Sequence, residues 1–199
     1  MVRRARNGED VRDGGHVTLK KLLPSLGCVL VLSLPALAQA KTSPADKAFM
    51  EMAARANMTE AHIGQMAETQ ASESQVKDFG QTLIHDHTDA YTQLTALAAK
   101  TGESIPKGID VRKISTVEQL VKLKGKRFAH QFVQAEIRDH EKAIADFKRE
   151  AQHGQDPDVK AYASKMIPVL EGHLRQAKAL VKPVEPRSRA RRRSNAVSA

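Results

Sequence analysis

Three histidines and one glutamate, each alone in an otherwise apolar helical stripe, are the residues of this chain that invite chemistry. Traced at alternating three- and four-residue spacing, the first stripe runs Phe49, Ala53, Ala56, Glu60, Ile63, Ala67. The second runs Val76, Gly80, Leu83, His87, Ala90, Leu94, Leu97. The third runs Phe128, Phe132, Val133, Ile137, His140, Ile144, Phe147, and the fourth Val159, Tyr162, Met166, Leu170, His173, Ala177, Leu180. Imidazole and carboxylate together suit a divalent transition metal such as iron, zinc or copper. Glu136, one turn before His140, adds an oxygen ligand. Asp86 and Asp139 directly precede their histidines. Successive helical residues point about 100° apart, so these aspartates are placed to orient a histidine on a neighbouring helix rather than to share its metal.

A buried polar group without a partner costs roughly 1–3 kcal/mol, so four of them in one core need compensation. Three readings answer this. A metal ion joins them; a hydrogen-bonded Glu–His layer satisfies itself without metal; or the stripes are displaced by one residue and some histidines face solvent. The remaining histidines carry less. His62 and His85 flank the stripes, His130 lies one position from the Phe128–Phe132 face, and His153 ends a helix where a cation suits the dipole. Met50, Met52, Met58 and Met66 crowd the first helix, as packing or as thioether ligands for Cu(I). No phosphate-binding loop, Ser–His–Asp array or nucleophilic cysteine motif occurs, and nothing points to an enzyme.

The elements that must position these residues are well punctuated. Ser43-Pro44 offers an N-cap and a first-turn proline, with Asp46 at the third helical position. Ser72 with Gln75, and Ser115 with Glu118, read as capping boxes. Asp156-Pro157 repeats the cap-plus-proline pattern, and Gly102 and Gly154 are C-terminal stops. The spacing predicts helices over 44–71, 73–101, 116–153 and 157–181, with Gly125 a break point in the third, and no strand. Short turns make the first and last pairs antiparallel hairpins. The long connection 102–125 can run the length of a bundle. The expected fold is therefore all-α, a ferritin-like four-helix bundle with a long crossover between helices 2 and 3. Measured from the first turn, Glu60 and His87 lie roughly 17 and 22 Å along their helices, and His140 and His173 roughly 21 and 28 Å from the turn at Gly154. The four groups can share one layer.

Composition bounds the rest. The chain has 199 residues, 41% hydrophobic and only 4% aromatic, with one cysteine. That is enough for one core and excludes an internal disulfide framework. The net charge of +9 divides into +3 over 1–40, +2 over 41–182 and +4 over 183–199. The folded part is nearly balanced and carries no basic stripe, so nucleic-acid binding by the domain is not expected. Residues 183–199 read as a disordered basic tail. Residues 20–40 read as an export signal: Lys20 and Lys21, an apolar run from Leu22 to Leu34, then small residues at Ala36, Ala38 and Ala40. The run is shorter than the ~20 residues of a membrane span, and no transmembrane segment is expected after cleavage. Cys28 interrupts the apolar run rather than following it, so it belongs to the discarded segment. The polar stretch 1–19 suggests that translation starts near Val17.

The quoted stretches NMTEAHIGQMA (57–67), VKDFGQTLIHDHTDAYTQLTALAAKTG (76–102), FAHQFVQAEIRDHEKAIADFKREA (128–151) and DVKAYASKMIPVLEGHLRQAKAL (158–180) resemble the exported bacterial family called Domain of Unknown Function 4142. Asp86-His87, Asp139-His140 and the run ending at His173 are the most specific parts. The resemblance implies a periplasmic four-helix protein and no established enzymatic activity. The outer-membrane label often attached to that family does not fit, because such helices cannot form a membrane barrel. Di-iron ferritins carry Glu-x-x-His on two helices. Here positions 84, 137 and 170 are Ile, Ile and Leu, which argues against ferroxidase chemistry. Two functions follow as expectations. One is a non-enzymatic exported bundle with a stress-related or envelope-interaction role, able to form oligomers. The other is a metal-binding bundle for storage, sensing or redox work. If residues 20–40 direct export, N-terminal sequencing of the mature protein will begin at Gln39 or Lys41; a mature chain that retains Leu22 to Leu34 would contradict the cleavage.

Overall fold

A computed structural model describes residues 42–181, and all regular structure among them is helical. The export signal with Cys28, the start near Val17 and the basic tail 183–199 lie outside the described residues. Helix α1 spans Pro44–Gln70 and α2 Ser74–Thr101. A single 3-10 turn, Val111–Lys113, leads into the short α3, Ile114–Val121. Helices α4, Gly125–His153, and α5, Pro157–Val181, complete the chain. Helix α1 packs on α2 and α4 on α5; the two hairpins meet through α2 on α5 and α1 on α4.

Local chemistry explains most boundaries. The Ser43 hydroxyl accepts from Asp46 N at 3.1 Å and the Asp46 carboxylate accepts from Ser43 N at 2.8 Å, a complete capping box. Asp156 Oδ1 accepts from Asp158 N at 2.9 Å and starts α5. Left-handed Gly102 ends α2. Gly125, at φ +56°, turns the chain between α3 and α4. A side chain there would be strained in that conformation, so the expected third helix is two rods.

Two expected capping boxes do not form. Helix α2 opens at Ser74 behind Glu73, and the Ser72 hydroxyl donates to the Glu73 carboxylate at 2.9 Å instead of capping. Ser115 lies inside α3, because the 3-10 turn capped by Asp110 has already started the helix at Ile114.

The core falls into two apolar clusters. One gathers Phe49 to Ala54, Ala90 to Ala98, Ile144 and Phe147, and Val159 to Leu170. The other gathers Ile63 to Ala71, Val76 to Leu83, Val117 and Leu120, Phe128 to Val133, and Ala177. On every long helix the polar stripe residue falls in the gap between them. At the edge of that gap α1 and α2 touch backbone to backbone. A Cβ on Gly80 would stand 2.8 Å from the Gly64 carbonyl oxygen, and one on Gly64 2.7 Å from that of Gly80. Larger residues there would push the hairpin open.

One carboxyl group outside this layer makes the fold sensitive to pH. Asp46 also accepts from Gln155 N at 2.8 Å, tying the start of α1 to the α4–α5 turn. Burial, then the neighbouring Asp46, pushes the buried Glu150 up to about 7 from the usual 4.5, against the weaker pull of Arg149 and Lys160. The folded chain therefore holds this proton more tightly than the unfolded chain. Its contribution is full below about pH 4.5 and is lost as pH rises through about 7. The buried histidines of the central layer push stability the other way over the same range, so the Glu150 effect is read as a difference: relative to Glu150→Gln, the wild-type chain should lose melting temperature between pH 5 and pH 8, and a difference that does not change with pH in thermal melts would exclude this contribution.

Candidate metal centre

All five expected ligands are buried: Glu60 on α1, His87 on α2, Glu136 and His140 on α4, and His173 on α5. The reading that displaced some histidines to the surface is thereby overturned. Among the described residues, His62, His85, His130 and His153 are the exposed histidines.

The structure sorts the five into two overlapping groups. His87, His140 and His173 each offer a ring nitrogen, the three lying within 4.8 Å of one another. Their ring centroids form a near-regular triangle with sides of 5.8, 5.2 and 5.2 Å. Glu60, Glu136 and His140 form the second group on the same criterion.

Hydrogen-bond partners decide which nitrogen of each ring carries the proton. His140 Nδ1 lies 2.9 Å from the Glu136 carbonyl oxygen. A carbonyl only accepts, so Nδ1 is the N–H and Nε2 keeps its lone pair. His173 Nε2 lies 2.8 Å from Asp86 Oδ2. A carboxylate only accepts, so Nε2 is the N–H and Nδ1 keeps its lone pair. For His87 the reasoning runs through three residues. The Tyr162 hydroxyl donates to the Ala90 carbonyl at 3.2 Å and accepts from Asn57 Nδ2 at 3.2 Å. That turns Asn57 Oδ1 toward His87 Nδ1 at 2.9 Å, which must then donate. His87 Nε2 is left buried without a partner.

Each of the three clustered rings is therefore left with one nitrogen lone pair, on His87 Nε2, His140 Nε2 and His173 Nδ1. His140 Nε2 and His173 Nδ1 stand only 3.2 Å apart. A proton between them would resolve the clash, but the environment disfavours it. Burial holds His87 well below the usual imidazole value, and the neighbouring rings add to it. Burial also lowers His140 against the opposing charge of Glu60. It lowers His173 too, against the opposing Asp86 carboxylate. A cation resolves the clash without a proton. Metal–nitrogen bonds of about 2.0–2.1 Å place tetrahedral nitrogen ligands roughly 3.3 Å apart, close to the 3.2 Å between His140 Nε2 and His173 Nδ1.

The glutamates have a different environment. The Glu136 carboxyl group is fully buried and neither oxygen has a partner; Glu60 Oε2 is in the same state. Burial, then the charge of Glu60, pushes Glu136 well above the usual carboxyl range. A cavity of about 340 Å³ reaches this layer from the surface, lined by Glu60, His87 and His140 at one end and by Asp110, Lys113 and Lys142 of the rim. The crossover forms part of that rim. Asp110 N donates to Thr59 Oγ1 at 2.9 Å, which pins the segment beside Glu60.

The expected orienting roles divide. Asp86 does hold a histidine of a neighbouring helix, His173. Burial raises its carboxyl group, but hydrogen bonds from His85 and His173 outweigh that and leave it below its usual value. Asp139 does not orient a histidine: the Lys113 ammonium from the crossover pairs with it. Its helical position turns it toward that connection. Asn57, which orients His87, was missed. The available signal was its place three residues before Glu60, hence on the same helix face.

If these assignments hold, nitrogen-15 NMR of the metal-free protein at neutral pH will show the Nδ1–H tautomer for His87 and His140 and the Nε2–H tautomer for His173. A doubly protonated His173 would remove the lone-pair convergence.

Among curated proteins none matches the chain significantly. Solved structures do. A DUF305 fragment from Deinococcus radiodurans aligns at 15% identity over 70% of this chain and 97% of that one, with a TM-score of 0.63. CopM in its Cu(I)-bound form aligns at 15% identity over 67% and 93%, with a TM-score of 0.58. Its Ag-bound form aligns at 16% identity with a TM-score of 0.55. At these identities the likeness concerns the fold. The family model described as "Domain of unknown function (DUF4142)" matches residues 31–180. It spans both hairpins and every residue of the centre, and the chain belongs to the DUF4142 family.

Proposed function

We propose that this is an exported, ferritin-like four-helix protein that binds one transition-metal ion through His87 Nε2, His140 Nε2 and His173 Nδ1. The two hairpins joined through 102–124 support the bundle reading. The apolar run before Ala38 and Ala40 supports export to the periplasm. No helix of the described residues is long and apolar enough to cross a membrane.

The observation that carries the metal reading is the convergence of three lone pairs, each fixed by an acceptor behind its ring: Asn57 Oδ1, the Glu136 carbonyl and Asp86 Oδ2. A hydrogen-bonded layer without metal fits less well. It leaves His87 Nε2 with no donor and sets two acceptors against each other at 3.2 Å. Acceptors behind metal-binding imidazoles fix the tautomer and raise ligand basicity.

Three imidazoles without thiolate suit copper or zinc. Neutral donors in a dry interior do not offset the ion's charge, which favours the singly charged Cu(I) among them. CopM, of similar fold, has been crystallised with Cu(I) and with Ag, and Cu(I) is accordingly the first ion to test. Among the methionines of α1, Met52 lines the cavity together with Glu60, His87 and His140. Met50 and Met66 pack in the two apolar clusters, and Met52 against the first. The chemistry supported is binding, for storage or sensing.

Protein purified without chelators or affinity tags should carry one copper or zinc ion per chain by elemental analysis. His87→Ala, His140→Ala and His173→Ala should each remove it. Asn57→Ala and Asp86→Asn should keep the stoichiometry and weaken affinity by roughly 10–100-fold in chelator competition. Metal-free protein whose melting temperature is unmoved by Cu(I) or zinc would sink the reading, since an ion at 100 times its Kd should stabilise by about 2.7 kcal/mol.

A further inference from the structure

We infer that Glu60 and Glu136 form a second, oxygen-ligand cation site beside the histidine triad, so that the bundle holds two ions rather than one. The inference rests on the metal reading above only in naming the triad as the first site.

The two sites lie on different sides of one ring. His140 turns Nε2 toward His173 and Nδ1 toward Glu136, whose carbonyl is 2.9 Å and whose carboxylate Oε2 is 3.4 Å from it. The ring nitrogens of an imidazole point in divergent directions. An ion on Nε2 is thus separated from the Glu136 carboxylate by the ring itself, and one ion cannot use both.

Oxygen counting favours a cation over a shared proton. Three carboxyl oxygens of this pair are buried without a partner: Glu60 Oε2, Glu136 Oε1 and Glu136 Oε2. One proton shared between the two side chains satisfies two of them and leaves one Glu136 oxygen with nothing. Buried polar atoms are rarely left so. A divalent cation bound by both oxygens of Glu136 and one of Glu60 satisfies all three and balances both negative charges. His140 keeps its Nδ1 proton on the Glu136 carbonyl and is not a ligand.

Geometry also supplies access. Glu60 lines the 340 Å³ cavity, whereas Glu136 does not. An ion entering by this cavity passes the Arg112–Asp110 and Lys113–Asp139 pairs and reaches Glu60 on its wall, and solvent would complete its shell. A site of two carboxylates and water suits manganese, magnesium or calcium rather than copper.

The test loads the full chain with one equivalent of zinc and titrates it with Mn²⁺, following the loss of the free-ion electron paramagnetic resonance signal. One Mn²⁺ per chain should bind in addition to the zinc. Glu136→Gln should abolish manganese binding and retain zinc. Glu60→Gln, on another helix and at the cavity wall, should do the same if Glu136→Gln fails to fold. His87→Ala should lose zinc and keep manganese, which separates this site from the triad. Manganese that does not bind, that binds equally to both Gln variants, or zinc lost with the carboxylates while circular dichroism and melting are unchanged, would each overturn the second site. Manganese bound by a chain that takes up neither zinc nor Cu(I) would instead refute the triad and leave the carboxylate site standing.

Discussion

Everything in this bundle is arranged around the desolvation of five titratable side chains at one level. Three imidazoles and two carboxyl groups are removed from water between two apolar clusters. In such a medium neither a lone charge nor a lone dipole is cheap. The fold answers one part of this with neutral tautomers, each N–H aimed at a fixed acceptor. The remaining part, the orphaned His87 Nε2 and the facing His140 and His173 nitrogens on one side and three orphaned oxygens of Glu60 and Glu136 on the other, is not satisfied within the protein. That residue of unmet demand is the physical basis of the functional reading.

The supporting structure is unusually directional. His87 is held by Asn57, Asn57 by Tyr162, and Tyr162 by the Ala90 carbonyl. The relay crosses three helices, α1, α2 and α5, and ends on backbone that cannot reorient. Asp86 grips His173 across the same α2–α5 contact. Such relays make the rings rigid before any ion arrives, which reduces the ordering cost of binding. The crossover belongs to the same design. Its contacts through Thr59, and through Lys113 with Asp139, place it over the cavity that leads to Glu60.

Much of this was legible in the stripes. Apolar periodicity located α1, α2 and α5 to within a residue and the end of α4, whose start falls at Gly125 rather than at 116, and a single polar interruption per stripe located Glu60, His87, His140 and His173. Those residues are buried because the residues three and four positions away are apolar, a strictly local reason. Caps were legible where the cap residue and its proline were adjacent, as at Ser43-Pro44 and Asp156-Pro157. They were misread at Ser72 and Ser115. The pattern of a capping box there is real, but the chain's path into the helix, set by the neighbouring turn, places the serine outside or inside the helix end.

The sequence by itself therefore determined the helical class, the depth of each candidate ligand along its own helix and which side of that helix it occupies. These follow from a periodicity of 3.6 residues and a fixed rise. Only the tertiary structure decided how the five ligands divide. Periodicity carries no information on which nitrogen of a ring meets a neighbour, or on whether an aspartate reaches a histidine or a lysine. Asp86 and Asp139 occupy the same position relative to their histidines, yet one holds His173 and the other pairs with Lys113. That difference is set by what each helix packs against, and packing across helices is a property of the assembled chain alone.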